Sequence, residues 1–367
     1  MAGFIERLVV AESPSLLPEA QQQVLEILTG ALTVLGYRVR RIRGRQTGDH
    51  LYAVPAGRRR GSAAQLLLGH CDTVWPLGSL QQMPFEITGE IMRGPGIFDM
   101  KAGLAQMIYA LEALRALALE PAVAPVVFIN SDEEIGSDES SRYIRSLARR
   151  VDRAFVLEPA LSPAGKLKTQ RKGVGQFTVV ATGRAAHAGL DPEKGASAVL
   201  ELSHQIQRLF ALSDREAGVS VNVGLIAGGV RPNVIAPEAE AIVDVRVPSE
   251  PQARRLEKAI LGLQAVTEGV ALEVTGSIAR LPLAPTPRNR ALWDAAVRLA
   301  RELGLELEEG LAGGASDGNT TSQFTATLDG LGAVGDGAHA DHEFVCIQRC
   351  LERCALLALL LLEPPLC

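Results

Sequence analysis

The chain has 367 residues, of which 47% are hydrophobic and 22% are charged, and its formal net charge is −5. This length allows two domains with a sizeable core, and the composition is that of a soluble globular protein. Charges of both signs are interspersed, which excludes the basic bias of proteins that bind nucleic acids or anionic membranes.

The N-terminal region predicts one helix and two strands. Residues 1–15 lack the basic-then-apolar order of a signal peptide. A helix is predicted over Pro18–Gly36, where apolar residues recur at helical spacing before a terminating glycine. Strands are predicted over Tyr37–Ile42 and Leu51–Val54, with a polar loop between them.

The stretch Leu66–Pro76 begins as a short apolar run and predicts a buried strand of a parallel sheet. If the backbone stays extended, His70 and Asp72 share one face, because side chains along a strand alternate with period 2. Ligands of open α/β sheets bind beyond the carboxyl ends of strands, so this pair is a candidate site. An isolated His-x-Asp pair is also typical of a hydrogen-bonded loop, so partners elsewhere must decide.

Acidic residues recur at further element boundaries. Strands are predicted over Val126–Asn130 and Arg153–Leu157, and a Gly- and Pro-containing loop precedes an amphipathic helix that starts near Leu104. The carboxylates just beyond these strands or just before this helix are Asp99, Glu133, Glu134 and Glu158. Each alone is explained as a helix cap or a turn residue. Their joint occurrence favours one shared site.

The composition changes near Gly173, after which the elements follow a β-α-β-β-α-β order typical of a ferredoxin-like domain. Its predicted strands and helices are Gln176–Ala181, Pro192–Leu212, Ser220–Ile226, Ala239–Val247, Pro251–Glu268 and Ala271–Thr275. Prolines at 282, 285 and 287 predict a return linker. We expect a first domain over 1–172 and 282–367, with the second domain, 173–281, inserted into it.

The last segment returns to the first domain. It predicts a helix over Asn289–Leu303, a glycine-rich loop over Gly313–Thr320, a second loop over Gly335–Glu343 and a final helix. The apolar run Ala355–Leu362 is too short to span a bilayer, so we expect a buried helix.

Cysteine usage fits an intracellular, cytoplasmic protein. The five cysteines form no Cys-x-x-Cys pair. Cys346, Cys350 and Cys354 recur every four residues and so lie on one helical face, where we expect small buried side chains rather than a metal site.

The donor types predict a metal centre. Zinc accepts imidazole nitrogen and carboxylate oxygen, and two adjacent metals can clamp a hydrolytic transition state. The available donors are His70, Asp99, Glu134, Glu158 and one histidine of the last loop. In the Glu133-Glu134 pair one carboxylate can ligate while the other acts as general base, although an acidic helix N-terminus is the alternative.

Five motifs carry a resemblance to a known family. They are Gly69-His70-Cys71-Asp72-Thr73-Val74, Gly94-Pro95-Gly96-Ile97-Phe98-Asp99-Met100-Lys101, Ser131-Asp132-Glu133-Glu134-Ile135-Gly136-Ser137, Leu157-Glu158-Pro159 and Gly337-Ala338-His339. In order and spacing they resemble the di-zinc metallopeptidases of the glutamate carboxypeptidase and aminoacylase family. The resemblance implies an α/β catalytic domain with a mostly parallel sheet and an inserted ferredoxin-like α+β lid and dimerisation domain.

The resemblance also implies a set of metal ligands. Asp99 would bridge two zinc ions, His70 and Glu158 would complete one site, and Glu134 and His339 the other. Co²⁺ or Mn²⁺ are possible substitutes. His342 is the rival of His339, and the match to Gly-x-His favours His339.

Catalytic roles follow from the same resemblance. Glu133 would be the general base and then the acid, and Asp72 would orient His70. His187, in a lid-domain loop, would polarise the scissile carbonyl of the partner subunit's site in a two-fold homodimer. The peptide bond between Asp99 and Met100 would be cis. His50 and His204 match no motif, and we expect them to face solvent.

The resemblance also implies a substrate, a small peptide or N-acyl amino acid that loses a C-terminal, glutamate-like residue. By the resemblance, the residues that would contact it are Asn233, Arg246, Arg280, Lys166, Gly314 and Ser316. Arg246 would bind the α-carboxylate bidentately, whereas Lys166 and Arg280 would read an acidic side chain. Two alternatives stay open: an N-acyl amino acid deacylase of the aminoacylase or acetylornithine deacetylase type, and a catalytically silent peptide-binding relative. Neither nucleic acid nor membrane is an expected partner.

Overall fold

The computed structural model describes residues 1–59 and 61–366. Its helices are α1 (Ala2–Val10), α2 (Pro18–Val34), α3 (Ala102–Ala116), α4 (Ser141–Ala148), α5 (Ala198–Phe210), α6 (Glu250–Leu261), α7 (Pro287–Glu302), α8 (Asp317–Ser322) and α9 (Ile347–Leu362). Its strands are β1 (Tyr37–Ile42), β2 (His50–Pro55), β3 (Ala64–His70), β4 (Glu86–Thr88), β5 (Ile91–Arg93), β6 (Ala124–Asn130), β7 (Arg153–Val156), β8 (Leu167–Arg171), β9 (Gly173–Thr182), β10 (Ser220–Gly228), β11 (Glu238–Val247), β12 (Ala271–Arg280), β13 (Glu309–Ala312), β14 (Ala326–Leu328), β15 (Gly335–Asp336) and β16 (Phe344–Cys346).

The described chain divides into two compact units. The first contains Met1–Gln170, Pro285–Ala312 and the chain from Ser316 onward, and the second contains Arg171–Ala284 with Gly313–Ala315. Among the residues that the structure describes, no helix has both the length and the hydropathy needed to cross a bilayer.

The first unit is built on a six-stranded sheet in the order β1-β2-β6-β3-β7-β14. The pairs β6–β3, β3–β7 and β7–β14 are parallel, whereas β1–β2 and β2–β6 are antiparallel. This confirms the mostly parallel sheet. Strand β3 is buried along its whole length, and the apolar run Leu66-Leu67-Leu68 forms its middle.

Helices cover both faces of this sheet. Buried side chains of α1, α2, α3, α7 and α9 form one cluster with one face, and Ile144 of α4 packs on the other. Helix α9 contains the C-terminal apolar run, and Leu356, Leu357, Leu360 and Leu361 are fully buried. Burying each such leucine stabilises the fold by about 1.5–3 kcal/mol, so the run is a core helix as predicted.

The second unit has a four-stranded antiparallel sheet in the order β10-β11-β9-β12. Helices α5 and α6 pack through Leu202, Leu209, Leu256 and Ile260 on the buried side chains of the sheet. Burial alternates along β9 and β11, as in a sheet with one covered face. The strand order is that of a ferredoxin-like unit, in agreement with the element order.

Some local predictions require correction. The helix predicted from Pro192 begins at Ala198, because Pro192–Lys194 forms only a short helical turn and Ser197 caps the helix by accepting a hydrogen bond from Leu200 N. Pro287 is not in a linker: it is the first residue of α7, where a proline needs no backbone donor.

The prediction that His50 faces solvent is wrong. His50 is 1% exposed, and its ring centroid lies 6.1 Å from those of both Phe128 and Tyr143. Its Nδ1 is 3.2 Å from the Ser131 hydroxyl. The ring is buried because His50 is the first residue of β2, which pairs with β6 inside the sheet. His204 is exposed, as predicted.

Cys71, Cys350 and Cys354 are buried free thiols, and Cys346 is a partly buried free thiol at the start of α9. Burial raises the pKa of Cys350 and Cys354 to about 12 in each case. These side chains are therefore small packing residues, as predicted.

Candidate metal centre

The register of the sheet brings the chemical motifs to one edge. Parallel pairing of β3 with β6 places His70 opposite Asn130, so both strands end at the same level. Glu133 and Glu134 lie in a short helical turn just after β6, and Glu158 lies two residues beyond β7. The apolar runs thus form neighbouring parallel strands. Because these strands end at the same edge of the sheet, the polar residues that follow them lie close together.

Asp99 stands at the centre of the cluster. Its Oδ1 lies 3.2 Å from His70 Nε2, and its Oδ2 lies 3.7 Å from His339 Nε2. His70 Nε2 is also 3.5 Å from Glu158 Oε1, and His339 Nε2 is 3.1 Å from Glu134 Oε2. The two oxygens of Asp99 therefore face two different histidines, each of which has a second carboxylate beside it.

The donor set fits divalent cations. Donor atoms of His70, Asp99 and Glu134 lie within 4.8 Å of one another, as do those of His70, Glu133 and Glu158. Oε1 of Glu134 is buried, and it has no hydrogen-bond partner among the described residues. A buried carboxylate oxygen without a partner is costly. A cation bound at this oxygen would remove that cost, and imidazole with carboxylate is a donor set that zinc accepts.

Three groups of this centre have raised pKa values. Burial raises the pKa of Glu134 to about 7. The hydrogen bond that His339 donates to the Glu134 carboxylate raises the pKa of His339 to about 9. Burial lowers the pKa of His70, but hydrogen bonds to Asp72, Asp99 and Glu158 outweigh it, and its pKa lies well above the usual value. The cluster attracts positive charge, whether it is supplied by protons or by metal ions.

Asp72 anchors the acidic turn. Its carboxylate accepts hydrogen bonds from the Ser15 hydroxyl at 2.7 Å, from Glu134 N at 3.1 Å and from Glu133 N at 3.2 Å. His70 Nδ1 is 3.0 Å from the backbone oxygen of Asp72 and 3.5 Å from its carboxylate. Asp72 therefore contacts His70 as the resemblance implies, mainly through its backbone, while its carboxylate holds the turn with Glu133 and Glu134.

The Asp99–Met100 peptide bond is cis, which confirms the expectation from the resemblance. The structure also distinguishes the two histidines of the last loop. His339 lies beside Asp99 and Glu134, whereas His342 is exposed and lies near Asp341, 3.5 Å away.

Glu343 and Lys101 are buried ionisable residues at this centre that are absent from the sequence-based site. The Glu343 carboxylate accepts hydrogen bonds from the backbone of the Asp99 turn. Lys101 is fully buried, and its Nζ donates to the Ala11 carbonyl at 2.9 Å. Burial lowers the pKa of Lys101 to about 8. For both residues the available sequence signal was a charged side chain inside or next to an apolar segment, because charged residues are rarely buried unless they are paired.

His187 and Asn233 lie together in the second unit. Residue 187 forms an isolated β-bridge with Val234, and Ala188 N donates to the Asn233 carbonyl at 3.0 Å. His187 Nδ1 accepts hydrogen bonds from the backbone N–H groups of Gly189 and Leu190, at 3.1 and 3.2 Å. The neutral ring therefore carries its proton on Nε2, which is left to donate.

Arg246 lies on β11 and is held bidentately by its neighbour on the same face. Its Nε and Nη2 each lie 2.9 Å from a carboxylate oxygen of Asp244. Both side chains are partly exposed. Arg280 is the last residue of β12, and its register partner is Val174.

The environment of Lys166 differs from the expectation. Its Nζ lies 2.6 Å from Glu308 in a partly exposed ion pair. Two residues along the chain, the buried Lys168 has its Nζ 3.8 Å from Glu158 Oε2. Lys168 is therefore a lysine in direct reach of the candidate ligands, which the sequence reasoning missed.

The loop residues Gly314 and Ser316 have structural partners. The Gly314 carbonyl accepts a hydrogen bond from Arg171. Ser316 is fully buried, caps α8 in a capping box with Asn319 and donates to Asp329 at 2.6 Å. The Ser316 hydroxyl is therefore buried and already paired in this structure, and its contact with substrate stays a prediction.

Comparisons with known proteins agree with this geometry. Residues 66–363 match the family model described as Peptidase family M20/M25/M40. Carboxypeptidase G2 of Pseudomonas sp. (strain RS-16) is 29% identical over 98% of this chain and 88% of its own length. Succinyl-diaminopimelate desuccinylase of Delftia acidovorans is 27% identical over 91% of this chain and 90% of its own length.

A solved tripeptidase structure from Staphylococcus aureus shares the fold, with a TM-score of 0.79 and 20% identity over 98% of this chain and 96% of that chain. The family match covers most of the sequence, including the motifs that meet at the candidate metal centre. The chain belongs to peptidase family M20/M25/M40, and it is an enzyme of the metallo-carboxypeptidase and amidohydrolase class.

Proposed function

We propose that this enzyme uses two divalent metal ions to hydrolyse an amide bond and to release a C-terminal amino acid from a peptide or N-acyl amino acid. The observation that carries the proposal is the arrangement around Asp99, whose two oxygens face His70 and His339. The similarity to carboxypeptidase G2 along nearly the whole chain supports it.

The proposed ligands form two sets that share Asp99. His70 and Glu158 complete the first set, and Glu134 and His339 complete the second. We propose Zn²⁺ as the native metal, with Co²⁺ or Mn²⁺ as functional substitutes. When bound, two such metals polarise the scissile carbonyl and lower the pKa of the attacking water.

Glu133 is the proposed general base. Its carboxylate lies within 4.8 Å of the donor atoms of His70 and Glu158, and Asp72 holds its backbone N–H. In this role Glu133 takes a proton from the attacking water. It then gives a proton to the amine nitrogen as the amide bond breaks.

His187 is proposed to stabilise negative charge on the substrate oxygen. Its Nδ1 accepts two backbone hydrogen bonds, so the Nε2–H can donate to an oxyanion. We propose that it acts on the partner subunit's site in a two-fold dimer. Strand β10 supports such a contact, because it is a sheet edge on which Leu225 and Ile226 are exposed by 66% and 67%.

The proposed substrate ends in a free α-carboxylate, which Arg246 and Asn233 are proposed to bind. Arg246 already pairs with Asp244, so a substrate carboxylate would bind the remaining guanidinium N–H groups or displace that pair. Lys166 and Arg280 are proposed to read an acidic, glutamate-like side chain. The ion pair between Lys166 and Glu308 would have to open for this role.

A substrate panel tests the proposal. The enzyme is stripped with a chelator, reloaded with Zn²⁺ or Co²⁺, and supplied with dipeptides and N-acyl amino acids that end in glutamate, leucine or lysine. We expect release of the C-terminal residue only after reloading, fastest for glutamate. A matched series with amidated C-termini should be poor substrates.

An N-acyl amino acid deacylase is the second candidate, because the desuccinylase from Delftia acidovorans matches this chain over almost its whole length. Faster cleavage of acetyl and succinyl amino acids than of dipeptides would favour this candidate. Stoichiometric metal binding without cleavage of any compound would favour a silent binding relative and would contradict the proposed activity.

A further inference from the structure

Glu343 forms a buried carboxylate clamp at the candidate metal centre. Its side chain is 1% exposed, and its Oε1 accepts hydrogen bonds from Phe98 N at 2.8 Å and from Asp99 N at 3.0 Å. Its Oε2 accepts hydrogen bonds from Gly96 N at 2.8 Å and from the Trp75 indole Nε1 at 2.9 Å. All four donors are uncharged, so these hydrogen bonds must compensate for the burial of the carboxylate.

The clamp joins three segments that each deliver candidate ligands. Glu343 lies in the same loop as His339, and its carboxylate accepts hydrogen bonds from the turn that contains Asp99. Trp75 lies in the stretch Leu66–Pro76, which also carries His70. One carboxylate therefore connects the backbone of Asp99 to the segments that carry His70 and His339.

We propose that Glu343 is a positioning residue that sets the placement of Asp99 relative to His339, and thereby the affinity of the second metal. This inference rests on the proposed two-metal function. The physical reason is that hydrogen bonds from the backbone N–H groups of Asp99 itself and of Phe98 fix the backbone from which its carboxylate projects. Partners that orient metal ligands typically change metal affinity by about 10–100-fold when they are removed.

The Glu343→Gln variant tests the role with little change of shape. Its amide oxygen can still accept, but its NH₂ group faces N–H donors and the charge is lost. The matched control is Glu201→Gln, because Glu201 is also buried and accepts backbone N–H bonds, from Val266 and Thr267 in the second unit. Both substitutions remove a buried charged acceptor, but only one touches the metal centre.

The measurement is metal content after equilibrium dialysis against a series of buffered free Zn²⁺ concentrations, with melting temperatures of the metal-free proteins recorded in parallel. We expect two ions per chain for the unmodified protein and for Glu201→Gln. For Glu343→Gln we expect one ion to bind about 10–100-fold more weakly. Both variants should have lowered melting temperatures.

A second variant and a local probe protect the test against a folding failure. Glu343→Asp keeps the charge on a shorter side chain, so we expect intermediate metal affinity. Trp75 and Trp293 are the only tryptophans in the chain. In a Trp293→Phe background the emission of Trp75 therefore reports on the clamp in metal-free protein, and it should shift in both Glu343 variants.

Failure of the proposed function and failure of this inference give different results. If the unmodified protein does not bind two ions, the proposed function is wrong. If it binds two, and both Glu343 variants bind both ions with unchanged affinity while only their melting temperatures fall, Glu343 is a structural anchor and this inference is overturned. Equal weakening in Glu201→Gln would overturn it as well.

Discussion

Metal binding by this enzyme should strengthen steeply as the pH rises. Imidazole binds a metal only in its neutral form, and carboxylates bind in the ionised form. The neighbouring carboxylates raise the pKa of His339 and His70 above the ordinary histidine value, and burial raises that of Glu134. Each metal must therefore displace at least one proton at neutral pH.

The size of the effect follows from these pKa values. With a pKa of about 9, His339 is protonated in all but about one molecule in a hundred at pH 7. Loss of one proton per bound metal means that each apparent dissociation constant falls about tenfold per pH unit near pH 7. Glu134, with a pKa of about 7, makes the second site steeper below neutrality. Above pH 9 the dependence on His339 should flatten.

Competition with a calibrated chelator between pH 6 and 9 measures the affinities, and calorimetry in buffers of different ionisation enthalpy counts the released protons. The variant His339→Gln should release one proton fewer and lose affinity at one site. The control His342→Gln should behave like the unmodified protein. Constant affinity between pH 6 and 8, or binding without proton release, would refute the reasoning.

Three further outcomes are expected. Glu133→Gln should lower kcat by about 10²–10⁴-fold yet retain both ions, and loss of one ion would show that Glu133 is a ligand instead of the base. Arg246→Ala should cost about 2–4 kcal/mol in kcat/KM, and far less with an amidated substrate; equal losses on both would mean that the α-carboxylate is read elsewhere. Mixing inactive His187→Ala and Glu133→Gln chains should restore partial activity, and absence of recovery despite demonstrated subunit exchange would exclude a shared site.

Much of the first unit could be predicted because contiguous stretches of the sequence form its central strands. The apolar runs that form β3, β6 and β7 are contiguous in sequence, and the polar residues directly after them mark the strand ends. Since parallel strands of one sheet end at a common edge, the spacing predicts that His70 meets the acidic residues that follow β6 and β7. The ferredoxin-like strand order of the second unit follows in the same way from the element order.

Contacts between distant segments could not be read from the sequence. His50 looks like a loop residue, but pairing of β2 with β6 buries it. Lys166 and Lys168 are two residues apart, and only the tertiary structure shows that the first pairs with Glu308 and the second lies near Glu158.

The sequence by itself therefore determined which residue types end each strand, and with them the chemistry of the candidate metal centre. The tertiary structure decided which of the remaining polar side chains support that centre. The Glu343 clamp is the clearest case, because its partner Asp99 lies more than two hundred residues away in the chain. No local pattern encodes such a contact, since it exists only when the last loop folds back onto the Asp99 turn.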